Sequence, residues 1–309
     1  MINLRNIKYN FIRVYISLFK YLSFSKVHEK EIIICFNSNV SHGGLVDRLK
    51  GIISFYEISR KLDYDFKMYF NDQFVLSEFL EPNKYNWEID RLKFNPLNTK
   101  VLYFFDSSSV NDYLEYFKRL KKKRIIVFSN LDILPVLYGK ELGREVWRKN
   151  YKELFKPSEK IKTHLKKYSG KKIISFHTRF TSIMGDFKDT NKKELLQEEK
   201  ENLMRDLVNE INSIVKKTVK DEVVYVLSDS ITFLKYIKNN TNYKILDGNP
   251  KHIDFYKNNE VILKTFIDFY FLIESEKIFI LFFKNMYNSK FSRYAAIIGN
   301  KPYEIIRGS

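Results

Sequence analysis

The stretch KKIISFHTRFTSIMGDF, Lys171 to Phe187, decides the fold. After Lys171 and Lys172 it runs apolar save for Ser175, without strict alternation, which marks a strand covered on both faces and hence a parallel sheet. Open parallel sheets place ligands just beyond the carboxyl ends of their strands. There the sequence turns polar, with His177, then Arg179, and Asp186 at the far end of a short loop. Arginine suits such a place because its planar fork meets a phosphate with two parallel hydrogen bonds. The plainer readings of its neighbours are a hydrogen-bonded structural histidine and a loop-capping aspartate.

Working outward, strand-like EVVYVLS (222–228), YKILD (243–247) and KIFIL (277–281) alternate with helical patterns within 193–217, from Ile231, and over 261–273. Upstream the same alternation appears in EIIICFNS (31–38), a helix from Leu45 to Lys61, then DFKMYF (65–70), VLYFF (101–105) and RIIVFS (124–129). Strands alternating with helices describe α/β units with parallel sheets. Between the two halves lies a charged, helical stretch from Gly139 to Lys167, where Pro157 stops or starts a helix. The chain is therefore expected to divide into an N-terminal helix (1–28), a Rossmann-like domain (29–150) and a second one (151–309).

With 309 residues and 44% apolar content the chain can bury a large core. Its 54 Lys and Arg against 37 Asp and Glu, a net charge of +17, favour an anionic partner: nucleic acid, a membrane surface or a phosphorylated substrate. No helix-turn-helix, RNP or zinc-knuckle pattern supports nucleic acid. The single cysteine, Cys35, excludes an intrachain disulfide and sits in an apolar run as a core residue would. Near the N-terminus Phe11, Tyr15, Leu18, Phe19 and Leu22 recur at helical spacing, with Arg13 and Lys20 facing away. That amphipathic helix either docks on its own domain or lies on a membrane, and its charges exclude a spanning segment.

Other strand-to-helix junctions carry candidate residues. In HGGLVDRLKGI (42–52), Gly43 and Gly44 let backbone amides approach an anion at a helix N-terminus, or simply make a tight turn. LSDS (227–230) offers Asp229 and Ser230, and YNSKFSRYAA (287–296) offers Ser289 and Ser292; each reads as a helix N-cap, as contact to a nucleotide diphosphate, or as both. A metal site is not expected. The histidines are scattered, and the Asp63/Asp65 pair precedes its strand and reads as a turn.

In order, GGLVDRLKG, FHTRF, LSDS and SKFSRYAA resemble the motifs of the fucosyltransferase superfamily of GT-B fold, which includes α1,6-, nodulation and protein O-fucosyltransferases. The resemblance covers most of the chain from about residue 31. It implies two Rossmann-like doubly wound domains facing a cleft, and an inverting, metal-independent glycosyltransferase whose nucleotide-sugar donor, typically GDP-fucose, is bound mainly by the C-terminal domain. By the same resemblance Arg179 binds the donor β-phosphate beside His177. Ser289, Phe291 and Ser292 belong to the diphosphate segment, Asp229 and Ser230 to the donor pocket, and Gly43 and Gly44 to the cleft. Asp268 matches an acidic position on the penultimate helix. This chain departs from many relatives in carrying Phe180 and Thr181 where they have a basic residue and an acid.

Inverting transfer needs a proton acceptor and a stabiliser for the departing diphosphate. Arg179 meets the second need, together with the positive ends of the helices after Gly44 and Ser292. For the first, Asp186 is the leading candidate and Asp47 the runner-up. Alternatives keep the fold with another nucleotide sugar, or make the chain a non-catalytic nucleotide- or carbohydrate-binding protein. The expected setting is capsule or lipopolysaccharide synthesis in a bacterial cytoplasm, with a glycan or lipid-linked acceptor and peripheral contact at the inner membrane face through residues 1–28.

Overall fold

The computed structural model describes residues 4–24, 29–37, 41–72, 74–104, 113–120, 122–187, 193–253 and 258–308. Residues 1–3 and 25–28 of the expected N-terminal segment, Ser38 and Phe105 of two expected strands, and part of the loop before Gly43 lie outside them. The chain divides into two compact units, residues 1–156 and 157–309, a boundary slightly beyond the expected 150.

The first unit contains α1 (Leu4–Leu18), β1 (Glu31–Asn37), α2 (Leu45–Leu62), β2 (Asp65–Asn71), β3 (Leu80–Pro82), β4 (Thr99–Phe104), α3 (Tyr113–Arg119), β5 (Arg124–Ser129), α4 (Leu134–Tyr138) and α5 (Lys140–Leu154), and ends on β6 (Phe155–Pro157). Its main sheet is parallel, in the order β2-β1-β5-β4. The central strands β1 and β5 are buried almost throughout, as continuous apolar runs require when both faces are covered. Helix α2 approaches closely because Gly51 leaves room: a Cβ there would sit 2.1 Å from the Ser129 carbonyl oxygen.

Helix α1 covers one face of this sheet. Val14 and Leu18 are fully buried and join Ile33, Cys35, Val101, Ile126 and Phe128 in one core cluster, with Phe11 and Tyr15 packed at its edge. Of the two placements the sequence allowed, α1 takes the docked one within the first unit through Phe11, Tyr15 and Leu18, while Phe19 and Leu22 of the same expected face stay exposed. Cys35 is buried, and desolvation pushes its thiol far above the ordinary range, as befits a core residue.

The second unit runs α6 (Glu159–Leu165), β7 (Ile173–Thr178), α7 (Gln197–Thr218), β8 (Val223–Ser228), α8 (Ile231–Asn240), β9 (Lys244–Ile245), α9 (Asn259–Glu274), β10 (Lys277–Phe283), α10 (Phe291–Gly299) and β11 (Tyr303–Gly308). All five strands are parallel, in the order β11-β10-β7-β8-β9. From β7 the chain winds outward through β8 and β9, then returns to the other side for β10 and β11, which is the Rossmann pattern. The order reverses between β7 and β10, and a crevice opens at the strand ends of such a switch point.

Candidate functional site

In the second unit the switch point gathers most of the sequence-selected residues. Strand β7 ends on His177 and Thr178, both buried, and Arg179 follows with its side chain 20% exposed. The Tyr287 N–H donates to the Arg179 carbonyl at 2.9 Å, which joins the end of β7 to the segment after β10. On that segment Ser289 accepts from the Phe291 N–H at 3.2 Å, and so shapes the turn into α10. One residue inside the helix, Ser292 Oγ lies 3.2 Å from His177 Nδ1, while the Phe291 ring stacks on the imidazole with centroids 5.8 Å apart. His177, Arg179, Ser289, Phe291 and Ser292 therefore form one cluster beside the positive end of α10.

Burial, and then the charge of Arg179, hold the His177 imidazolium well below its ordinary range, down to about 3. The ring is neutral at ordinary pH and serves to fix Ser292. The opposite holds for Asp229, whose carboxyl is pushed up to about 6 by burial, against the pull of Arg179 and of backbone N–H groups. Register explains its neighbours: Thr178 pairs with Ser228, so Asp229 lies one step beyond, beside Arg179. Arg179 Nε is 3.4 Å from Asp229 Oδ2, and the carboxylate accepts the N–H groups of Phe180 and Thr181 at 2.8 Å each. These bonds hold Thr181 in the left-handed region at φ 58°, uncommon for a β-branched residue, and so set the direction of the Arg179 loop.

Asp186 takes the place that a local reading assigns to Asp229. Its Oδ2 accepts from Ser230 Oγ at 2.9 Å and from the Thr232 N–H at 2.7 Å, capping α8, while Ser230 caps the same helix through the Phe233 N–H at 3.1 Å. The carboxylate expected to accept the acceptor's proton is thus tied to a helix end.

Asp268 stands on α9, buried and 2.5 Å from Lys264 Nζ; burial raises its carboxyl and Lys264 opposes the rise. The next residue, Phe269, packs on Phe291 with centroids 5.0 Å apart, so α9 backs the helix that carries Ser292. Three residues here escaped the sequence reading. Phe187 lies under the Arg179 guanidinium at 4.8 Å, and His252 meets its ring edge-on at 6.1 Å. Lys264 could have been found from its position four residues before Asp268 on one helix face.

In the first unit, Gly43 has φ 75°, and a Cβ there would meet Asp47 Oδ2 at 2.8 Å. Gly44 occupies the N-cap position of α2. Missed by the sequence reading, the buried Arg48 donates to the Gly43 carbonyl and pairs with Asp72 at 2.5 Å, which locks the turn. The Asn37 N–H donates to Nε2 of the buried His42 at 3.1 Å. Asp47 is 43% exposed and accepts from Lys50 at 2.6 Å. Among the described residues no group of three or more His, Cys, Asp and Glu gathers as metal ligands do.

A parallel Rossmann-like sheet in each of two units is the pattern of the GT-B fold. Solved structures that share it are fucosyltransferases. The NodZ α1,6-fucosyltransferase soaked with GDP-fucose matches at a TM-score of 0.57 and 14% identity, over 88% of this chain and 93% of that one. Arabidopsis thaliana FUT1, an arginine-to-lysine variant in complex with GDP, matches at 0.56 and 15%, over 99% and 78%. NodZ from Bradyrhizobium matches at 0.53 and 14%, over 87% and 92%. The expected GT-B class is thereby borne out at the level of fold. No family model and no curated protein matches the sequence.

Proposed function

We propose that this chain is a glycosyltransferase that takes a nucleoside-diphosphate sugar, GDP-fucose first among candidates, and transfers the sugar with inversion. One observation carries the reading: at the switch point the Arg179 side chain stays 20% exposed, on a strand end joined through the Tyr287 N–H to the segment that leads into α10. A diphosphate placed there meets a bidentate cation and a positive helix end together. Neutral His177 would hold Ser292 toward the same anion, and Asp229 would hold the loop that carries the arginine. The donor needs no metal in this proposal, because the leaving diphosphate's charge falls to Arg179 and the helix end.

Asp186 caps α8, and the runner-up for the proton-accepting role, Asp47, is half-exposed in the first unit. Capsule or lipopolysaccharide assembly remains the proposed setting. A non-catalytic nucleotide-binding role draws on one observation, the commitment of Asp186 to a helix end.

The test is thermal unfolding with GDP, UDP, CMP and ADP, followed by donor turnover. A ligand at a hundred times its Kd stabilises by about 2.7 kcal/mol. GDP is expected to raise Tm above the other nucleotides, and Arg179→Ala to cancel the rise and slow turnover by about two orders of magnitude. Indifference to all four nucleotides would sink the donor reading; GDP binding without turnover of any GDP-sugar would establish the non-catalytic one.

A further inference from the structure

Helix α1 carries two apolar stripes, and only one is spent on the core. The docked stripe contains Phe11, Val14, Tyr15 and Leu18. The second, Ile12 and Ile16, lies on the other side and is exposed by 44% and 63%; Phe19, just past the end of α1, extends it at 48% exposure while one edge of its ring meets Phe94. The chain continues it through Leu22 at 44% and Phe24 at 70%. Five of the eleven large hydrophobic side chains exposed among the described residues therefore fall in this short span. Scattered apolar residues are normal on a surface, whereas a contiguous run marks an interaction face.

Charge identifies the occupant. Arg13 and Lys20 are exposed beside the stripe, and residues 1–28 hold Arg5, Lys8, Arg13, Lys20 and Lys26 with no acid. A second copy of this chain is disfavoured, because a twofold interface is self-complementary and would set these like charges against each other. Among the described residues no helix is long and apolar enough to cross a membrane. We propose that this face rests on an anionic lipid surface, with α1 in the plane of the interface. Ile12, Ile16 and Phe24 enter the acyl boundary, and Arg13 and Lys20 meet lipid phosphates. The proposal stands apart from the transferase reading, since it uses none of the residues at the switch point.

The experiment is co-sedimentation with vesicles of phosphatidylglycerol mixed with phosphatidylcholine, against phosphatidylcholine alone. Deleting α1 is unsuitable, because Val14 and Leu18 belong to the core. The surface variants are Ile12→Ser/Ile16→Ser/Phe24→Ser and Arg13→Gln/Lys20→Gln, with urea unfolding as the check that each is folded. Wild type is expected on the anionic vesicles, and either variant to bind at least about tenfold more weakly. Equal partition on the two vesicle types, or a serine variant that sediments like wild type, overturns the proposal. A dimer in analytical ultracentrifugation that the serine variant dissolves would also overturn it and give the face to a second copy.

Discussion

Replacing Asp229 by asparagine should change the shape of the pH–stability curve in a way the structure specifies. In the folded chain Asp229 titrates at about 6 against an ordinary 3.8, because burial disfavours its charge. Between those values the folded state holds a proton that the unfolded state has lost. The resulting stability is complete below 3.8, disappears as pH rises through 6, and amounts to about 3 kcal/mol. His177 works in the opposite sense. Its ordinary 6.5 falls to about 3, so its contribution is complete above 6.5 and is lost as pH drops toward 3. From about pH 6 down to 4 the two slopes, each about 1.4 kcal/mol per pH unit, nearly cancel in the wild type. Asp229→Asn removes one slope and leaves the other. Relative to wild type, the variant should therefore lose about 3 kcal/mol as pH falls through that window. The assay is urea unfolding at closely spaced pH values, compared at constant m. A difference between the two proteins that stays flat from pH 6 to 4 would refute the assignment of a raised carboxyl to this position.

Three further outcomes follow from the geometry. Asp186→Ala should lower unfolding free energy by about 1 kcal/mol through the lost α8 cap, while donor turnover falls less than about tenfold; a collapse of turnover with intact stability would restore Asp186 as the base. Gly51→Ala should cost about 3 kcal/mol in urea unfolding, since the methyl meets a backbone carbonyl. Gly43→Ala, strained mainly by its positive φ, should cost about 1–2 kcal/mol, and a reversed order would contradict the helix packing described. Lys264→Met should destabilise by about 3 kcal/mol at neutral pH by stranding Asp268, with most of the loss recovered in Lys264→Met/Asp268→Leu. Additive losses in that double variant would show that the pair is not what the lysine serves.

What could be read from the sequence was whatever depends on local pattern. Unbroken apolar runs marked the buried strands and so the parallel sheets, and the polar residues just after β7 marked the switch-point edge. The strands that were misjudged failed for the same local reason. Residues 243–247 read as a full strand but form only the two residues of β9, and edge strand β11, half-exposed along much of its length, gave no apolar run to notice. The exchange between Asp229 and Asp186 is more instructive. Next to Ser230, Asp229 has the look of a cap for the helix that follows, yet the β7–β8 register sets it beside Arg179 and frees the helix end for Asp186. A capping rule reads sequence neighbours, and this choice was made between residues more than forty positions apart. Arg48 escaped for a similar reason, because its partner Asp72 lies just beyond the end of β2.

The contact between Arg179 and Asp229 gives the site a resident competitor. On the proposed donor reading, a diphosphate arriving at Arg179 would share the guanidinium with a carboxylate 3.4 Å from Nε, and a departing one would leave it to that partner alone. On that reading the sharing would limit how tightly the spent nucleotide is held. In a transferase whose turnover ends with loss of a charged product, that limit would favour release, so the acid that orients the arginine would also hasten the emptying of the site.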